Sequence, residues 1–209
     1  MNKNKQVLCS LCGVKTATTR EHVPPRGIFL TPRPSDLITV PACFECNNSS
    51  SAADERFRLF LGLHVARFSK QGERLFKDGI IPTTKHNNRY RHEVLSTSEP
   101  VLLTTPGGII YGKGFAIPWD SDTHDKTIEK IIRGLFFHHY NKIIASNANI
   151  TVNFFNEIPK LDIELYENSI GEGVFKYAYN KVEEADYASV WIFNFYNGHW
   201  AGGMVHEKE

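Results

Sequence analysis

Apolar residues recur at helical spacing in two stretches of this 209-residue chain. Phe57, Phe60, Leu61, His64, Val65 and Phe68 follow a capping-box-like Ser51-Ala52-Ala53-Asp54 start, which predicts a helix with one apolar face. A longer stripe joins Ile128, Ile131, Ile132, Leu135, Phe136, His139, Tyr140 and Ile143, with Asp120, Ser121 and Asp122 ahead of it as candidate caps. Its spacing predicts one long core helix from about Thr123 to Ile144. His138 and His139 invite a metal reading, but adjacent helical residues point about 100° apart and His139 falls in the apolar stripe, so they are read as structural. Strand signals fill much of the remainder: Val101 to Leu103, Ile109 to Tyr111, Ile150 to Phe155, Leu161 to Tyr166, Phe175 to Tyr179, Val190 to Tyr196 and Trp200 to Val205 are rich in β-branched and aromatic residues. Together they predict a mainly antiparallel sheet. Asn197-Gly198 is the strongest hairpin turn, because both residues tolerate positive φ. A turn at Gly72 and the polar stretch Thr83 to Arg91 read as an exposed connection, although the basic tract there, with Tyr90, is also of a kind that lies along a nucleic-acid backbone.

Composition changes this picture in two ways. A hydrophobic fraction of 41% supplies a real core for one large domain or two small ones. The formal net charge is only +1, which excludes a global basic field, yet residues 1–70 hold ten Lys/Arg against five Asp/Glu. The chain therefore reads as a basic amino-terminal module, 1–70, running without a flexible linker into an α+β region, 71–209. The second region's role is target selection, dimerisation or contact with a protein partner. No apolar run reaches membrane-spanning length, and no membrane partner is expected.

Candidate chemistry is concentrated in the first module. Cys9-x-x-Cys12 and Cys43-x-x-Cys46 let two short turns aim four sulfurs at one ion, the tetrahedral S4 shell of structural zinc. A disulfide framework is the alternative, but a chain of this length needs no such staples, and reduced cysteines arranged for a metal point to the cytoplasm. Between the pairs stand Glu21 and His22, and Asn47 directly follows Cys46. An imidazole titrating near neutrality can take a proton from water, while a carboxylate and an amide oxygen offer hard ligands to a magnesium-like ion.

Cys9-x-x-Cys12, Glu21-His22-Val23-x-Pro25 and Cys43-x-x-Cys46-Asn47 together resemble the zinc-bearing branch of the HNH (ββα-metal, His-Me finger) endonucleases over roughly the first third of the chain. The resemblance implies a β-hairpin followed by a helix, continuing into the α+β body. It implies His22 as the general base, Glu21 and Asn47 as holders of a catalytic Mg2+ or Mn2+, the four cysteines on structural zinc, and double-stranded DNA as substrate. Arg20 and Arg26, beside the Glu21-His22 pair, are candidate phosphate contacts. The chain departs from the family pattern in lacking its middle asparagine, for which Asp36 and Thr39 are the nearest substitutes, in carrying Glu rather than Asp before the histidine, and in Ser50 where a lysine often follows. Individual residues also have plainer readings. Asn47 can cap a helix, His22 can be a buried or zinc-binding histidine, and Arg20 and Arg26 can be solvated charges. The whole module can equally be a non-catalytic zinc unit that binds nucleic acid or a protein.

Overall fold

The computed structural model describes residues 7–156 and 162–207. Near the amino terminus, strands β1 (Thr19–His22) and β2 (Thr39–Ala42) pair antiparallel with Glu21 opposite Val40 and His22 opposite Thr39. Helices α1 (Phe44–Ser49) and α2 (Ser51–Val65) follow at once. Alternation along β1 leaves Arg20 exposed and buries Glu21, so neighbouring functional candidates leave the strand on opposite faces. On α2, Phe57, Leu61 and Val65 are buried as the helical spacing requires, whereas Phe60 and His64 are half-buried and Phe68 lies beyond the helix and is exposed.

The segment after α2 corrects the expected turn and exposed connection. It is helical: α3 (Lys70–Arg74), a π-helical turn (Leu75–Ile80), α4 (Ile81–His86) and α5 (Asn88–Thr97). Two of these short helices, α3 and α5, have a side-chain cap that polarity alone did not reveal. Ser69 Oγ accepts from the Gly72 N–H at 3.0 Å, and Asn87 Oδ1 accepts from the Tyr90 N–H at 3.2 Å. Leu75, Ile80 and Tyr90 then pin the run to the core.

Strands β3 (Glu99–Thr104) and β4 (Ile110–Ala116) form a separate two-stranded hairpin. The long helix α6 (Ser121–Tyr140) lies close to its predicted bounds. Asp120 Oδ1 accepts the Thr123 N–H at 3.1 Å, and Asn141 ends the helix in the left-handed region. Then β5 (Asn149–Phe155), β6 (Tyr166–Ile170), β7 (Phe175–Lys181), β8 (Ser189–Phe195) and β9 (His199–His206) build an antiparallel sheet in the order β5-β9-β8-β7-β6. The strand expected over Leu161 to Tyr166 instead begins at Tyr166; Leu161 lies outside the described residues, and 162–165 are irregular.

One apolar core joins these parts. It runs from Val23, Ile28 and Val40, through Phe57 and Leu61, to Ile128, Ile131, Ile132 and Phe136 of α6 and on to Phe175, Trp191, Phe193 and Phe195 of the sheet. Helix α6 is the common element, touching α2, β2, β5 and β9. His139 serves this core: its ring stacks on Tyr179 at 4.2 Å, and its two nitrogens meet the Tyr177 and Tyr179 hydroxyls at 3.0 and 2.9 Å. The β8–β9 turn differs in detail from the Asn-Gly expectation. Tyr196 and Asn197 take the positive φ values, while Gly198 does not. Tyr196 is held there by burial and by donating its hydroxyl to the Ile28 carbonyl at 2.5 Å. Gly198 answers a packing need, since an added Cβ would lie 2.5 Å from Phe68 Cβ. Among the described residues, no helix is long and apolar enough to cross a membrane.

Candidate metal centre and adjoining cleft

The first Cys-x-x-Cys turn is shaped by backbone bonds. Cys9 N–H donates to the Lys15 carbonyl and Gly13 N–H to the Cys9 carbonyl, both at 2.8 Å. Ser10 ties this turn to β2 through the Pro41 carbonyl, by its N–H at 2.9 Å and its hydroxyl at 2.7 Å. The second turn is the start of α1, where Cys43 is the N-cap and its sulfur accepts from the Cys46 N–H at 3.4 Å. These two supports bring the sulfurs of Cys9, Cys12, Cys43 and Cys46 within 4.8 Å of one another. Four thiols with no disulfide among them, gathered at this spacing, fit a tetrahedral ion with metal–sulfur bonds of about 2.3 Å. Burial pushes the Cys43 and Cys46 thiols up, whereas at Cys12 desolvation is outweighed by hydrogen bonds from the Lys15 and Val14 backbone and the pKa is lowered to about 7.

A separate cleft of about 460 Å³, with none of the four cysteines in its lining, opens beside β1. Glu21, His22 and Asn47 all border it, together with Arg20, Arg26, Arg33, Asp54 and Arg58. Asn47 Nδ2 donates to Thr19 Oγ1 at 3.0 Å and to the Arg20 carbonyl at 3.2 Å, clamping α1 to β1. Those bonds use the nitrogen end of the amide and not its oxygen. Asn47 is thus a helix-to-strand clamp, while the N-cap positions are Cys43 for α1 and Ser50 for α2.

His22 is partly buried at the end of β1. Its pKa is lowered, first by desolvation and then by the positive charges of Arg26, Arg33 and Arg20, so the neutral ring is favoured. Both substitutes for the missing asparagine have other hydrogen-bond partners, although Thr39 lies directly across the hairpin from His22. Asp36 accepts the Gly171 N–H at 3.2 and 3.1 Å, and the Thr39 hydroxyl accepts from Arg20 Nε at 2.9 Å. Arg20 also donates to the Thr39 carbonyl at 2.8 Å, so its guanidinium is partly committed to the hairpin. Arg26 is exposed in the short 3-10 turn Arg26–Ile28.

Glu21 is 5 % exposed, and its carboxylate has unequal ends. Oε1 lies 3.3 Å from Lys130 Nζ, while Oε2 is buried with no hydrogen-bond partner. Lys130 Nζ is also 2.5 and 2.6 Å from the two Asp54 oxygens and 3.2 Å from Ser50 Oγ. Desolvation raises the pKa of both carboxyls, against the pull of Lys130.

Four of these participants, Asp54, Arg58, Arg33 and Lys130, were not singled out from the sequence as site residues. Asp54 lies seven residues after Asn47, two helical turns further along, and Arg58 follows at i+4; that spacing was the available signal for both. Arg33 sits in an irregular loop, and Lys130 comes from α6, 109 residues from Glu21, where no local pattern links them. No protein-family model, no curated protein and no solved structure matches this chain.

Proposed function

We propose that the cleft is the active site of an HNH-type endonuclease that hydrolyses phosphodiester bonds in double-stranded DNA, with the four cysteines holding structural zinc beside it. The observation that carries this reading is that His22, Glu21 and Asn47 border one cleft ringed by Arg20, Arg26, Arg33 and Arg58, apart from the sulfur cluster. Four guanidinium groups around a neutral imidazole suit a phosphodiester better than an uncharged substrate.

His22 would take a proton from water, whose oxygen attacks phosphorus as the bond to the 3′ oxygen breaks. Its depressed basicity keeps the ring neutral near pH 7, which a base requires. Glu21 and Asn47 would hold a divalent ion. The fit rests on the buried, unpartnered Glu21 Oε2 and on the oxygen end of the Asn47 amide. When bound, Mg2+ or Mn2+ supplies neutralisation of the charge that builds on the leaving oxygen. The arginines would orient the phosphate and strengthen its binding.

The contact between Glu21 and Lys130 favours a second reading, a zinc module that binds nucleic acid without cutting it. The two separate cleanly. His22→Ala should abolish nicking of supercoiled plasmid in Mg2+ or Mn2+ with zinc content and folding unchanged. Equal nicking by wild type and variant removes His22 as the base; salt-sensitive binding without turnover in any divalent metal establishes the second reading.

A further inference from the structure

We propose that Lys130 is the resident counter-cation of this cleft, that a divalent ion enters by displacing its ammonium, and that Asp54 joins Glu21 as an oxygen ligand. This rests on the reading that Glu21 holds the ion, and it adds a ligand and a control element to it.

The geometry is that of an occupied cation position. A single ammonium sits between the buried Glu21 carboxylate and the partly buried one of Asp54, at 2.5 and 2.6 Å from Asp54 and 3.3 Å from Glu21. With both carboxyls ionised, its single positive charge leaves one negative charge uncompensated, and Glu21 Oε2 lacks any hydrogen-bond partner. A dication would neutralise both carboxylates and supply that oxygen with a bond.

Lys130 is 8 % exposed, and it projects from the middle of the 20-residue helix α6, so its backbone is fixed while its four-carbon stem can swing. It also has somewhere to go. Lys130 and Asp54 also border a second cleft of about 430 Å³, where Glu129 accepts from Arg133 Nε at 2.8 Å. Loading the ion would move the ammonium away from Glu21 into that second cleft.

The test uses full-length, zinc-loaded protein and Mn2+ as the probe. Lys130→Met should lower Tm by about 6–12 °C without Mn2+, as expected when one partner of a buried ion pair is lost. It should bind Mn2+ at least tenfold tighter than wild type by calorimetry, and Mn2+ should recover more Tm than it does in wild type. Asp54→Asn in that background should lose at least tenfold in Mn2+ affinity. Unchanged or weaker Mn2+ binding by folded Lys130→Met overturns the displacement, and unchanged binding by the Asp54 variant removes the added ligand. In case Lys130→Met does not fold, amine acylation of wild type read by mass spectrometry asks the same question. Mn2+ should raise labelling of Lys130 several-fold, and equal labelling with and without Mn2+ overturns the proposal. Failure of the underlying reading looks different: Glu21→Gln would then leave Mn2+ binding as it is in wild type.

Discussion

The Nε2 atoms of His124 and His199 face each other at 3.1 Å in the interior, His124 being 2 % exposed and His199 fully buried. His124 Nδ1 lies 2.8 Å from the Asp125 carboxylate, which places its proton there. His124 Nε2 is then the acceptor and His199 Nε2–H the donor. That tautomer leaves His199 Nδ1 as a buried lone pair without a partner.

This pair makes stability depend on pH. Burial pushes His199 down to about 2, with His124 and His64 adding to the effect. His124 is lowered by desolvation against Asp125, and His64 by desolvation and Arg67. In the unfolded chain these rings titrate near 6.5. Below that value the unfolded state binds protons that the folded state refuses, so stability is complete above about pH 6.5 and falls as pH drops toward the folded value. Urea unfolding between pH 7 and 5 should show this loss, and His199→Gln should flatten the slope by up to about 1.4 kcal/mol per pH unit relative to wild type. Parallel slopes would contradict it.

Gly134 is where the amino-terminal hairpin rests on α6. A Cβ built there would lie 2.4 Å from Val23 Cγ1 and 3.1 Å from Val23 Cβ, atoms of a stiff side chain in the core. Replacing an exposed helical glycine by alanine gains about 1 kcal/mol, but overpacking a core loses about 1–3 kcal/mol. Gly134→Ala should therefore destabilise, read as a lower urea midpoint with an unchanged m-value. Increased stability would show that Val23 yields freely.

The helices α2 and α6 and most strands were legible because each carries its own periodicity. Phe57, Leu61 and Val65 bury as their spacing requires, and Ile128, Ile131, Ile132 and Leu135 do the same. The helices from Lys70 to Thr97 were hidden because they are short and polar, and are anchored by single residues such as Tyr90 rather than by a stripe. The cysteine cluster was legible because its ligands come in local pairs. Lys130 was not, since the residue that neutralises Glu21 is set by how α6 docks, a tertiary fact with no trace in spacing.

Removing the cluster's ion should unfold more than the cysteine turns. Cys43 is the last residue before α1, and α1 is clamped by Asn47 to β1, the strand carrying Glu21 and His22. Structural metal binding is coupled to folding free energy. Cys43→Ser should lose bound zinc and lower Tm by more than about 10 °C, whereas Asn47→Ala should keep its zinc. Metal analysis and calorimetry measure both. Full stability in a zinc-free Cys43→Ser protein would dismiss the structural role.

Arg33 and Arg58 offer a test of the nucleic-acid reading that does not require turnover. Both border the cleft, Arg33 is exposed, and Arg58 Nε is buried without a partner while Nη1 donates to Thr83 Oγ1 at 3.3 Å. Arg58 is therefore partly preorganised, and Arg33 is free to swing. Each phosphate contact contributes about 0.9 to the slope of log K against log salt on duplex DNA. Arg33→Ala and Arg58→Ala should each reduce that slope by about 1 and weaken binding equally across sequences, while Lys142→Ala, near Asp186 and away from the cleft, should do neither. Arg58→Ala should also lower stability slightly through its lost Thr83 bond, a loss that Arg33→Ala should not share. Identical salt slopes for all three variants and wild type would place the DNA somewhere other than this cleft.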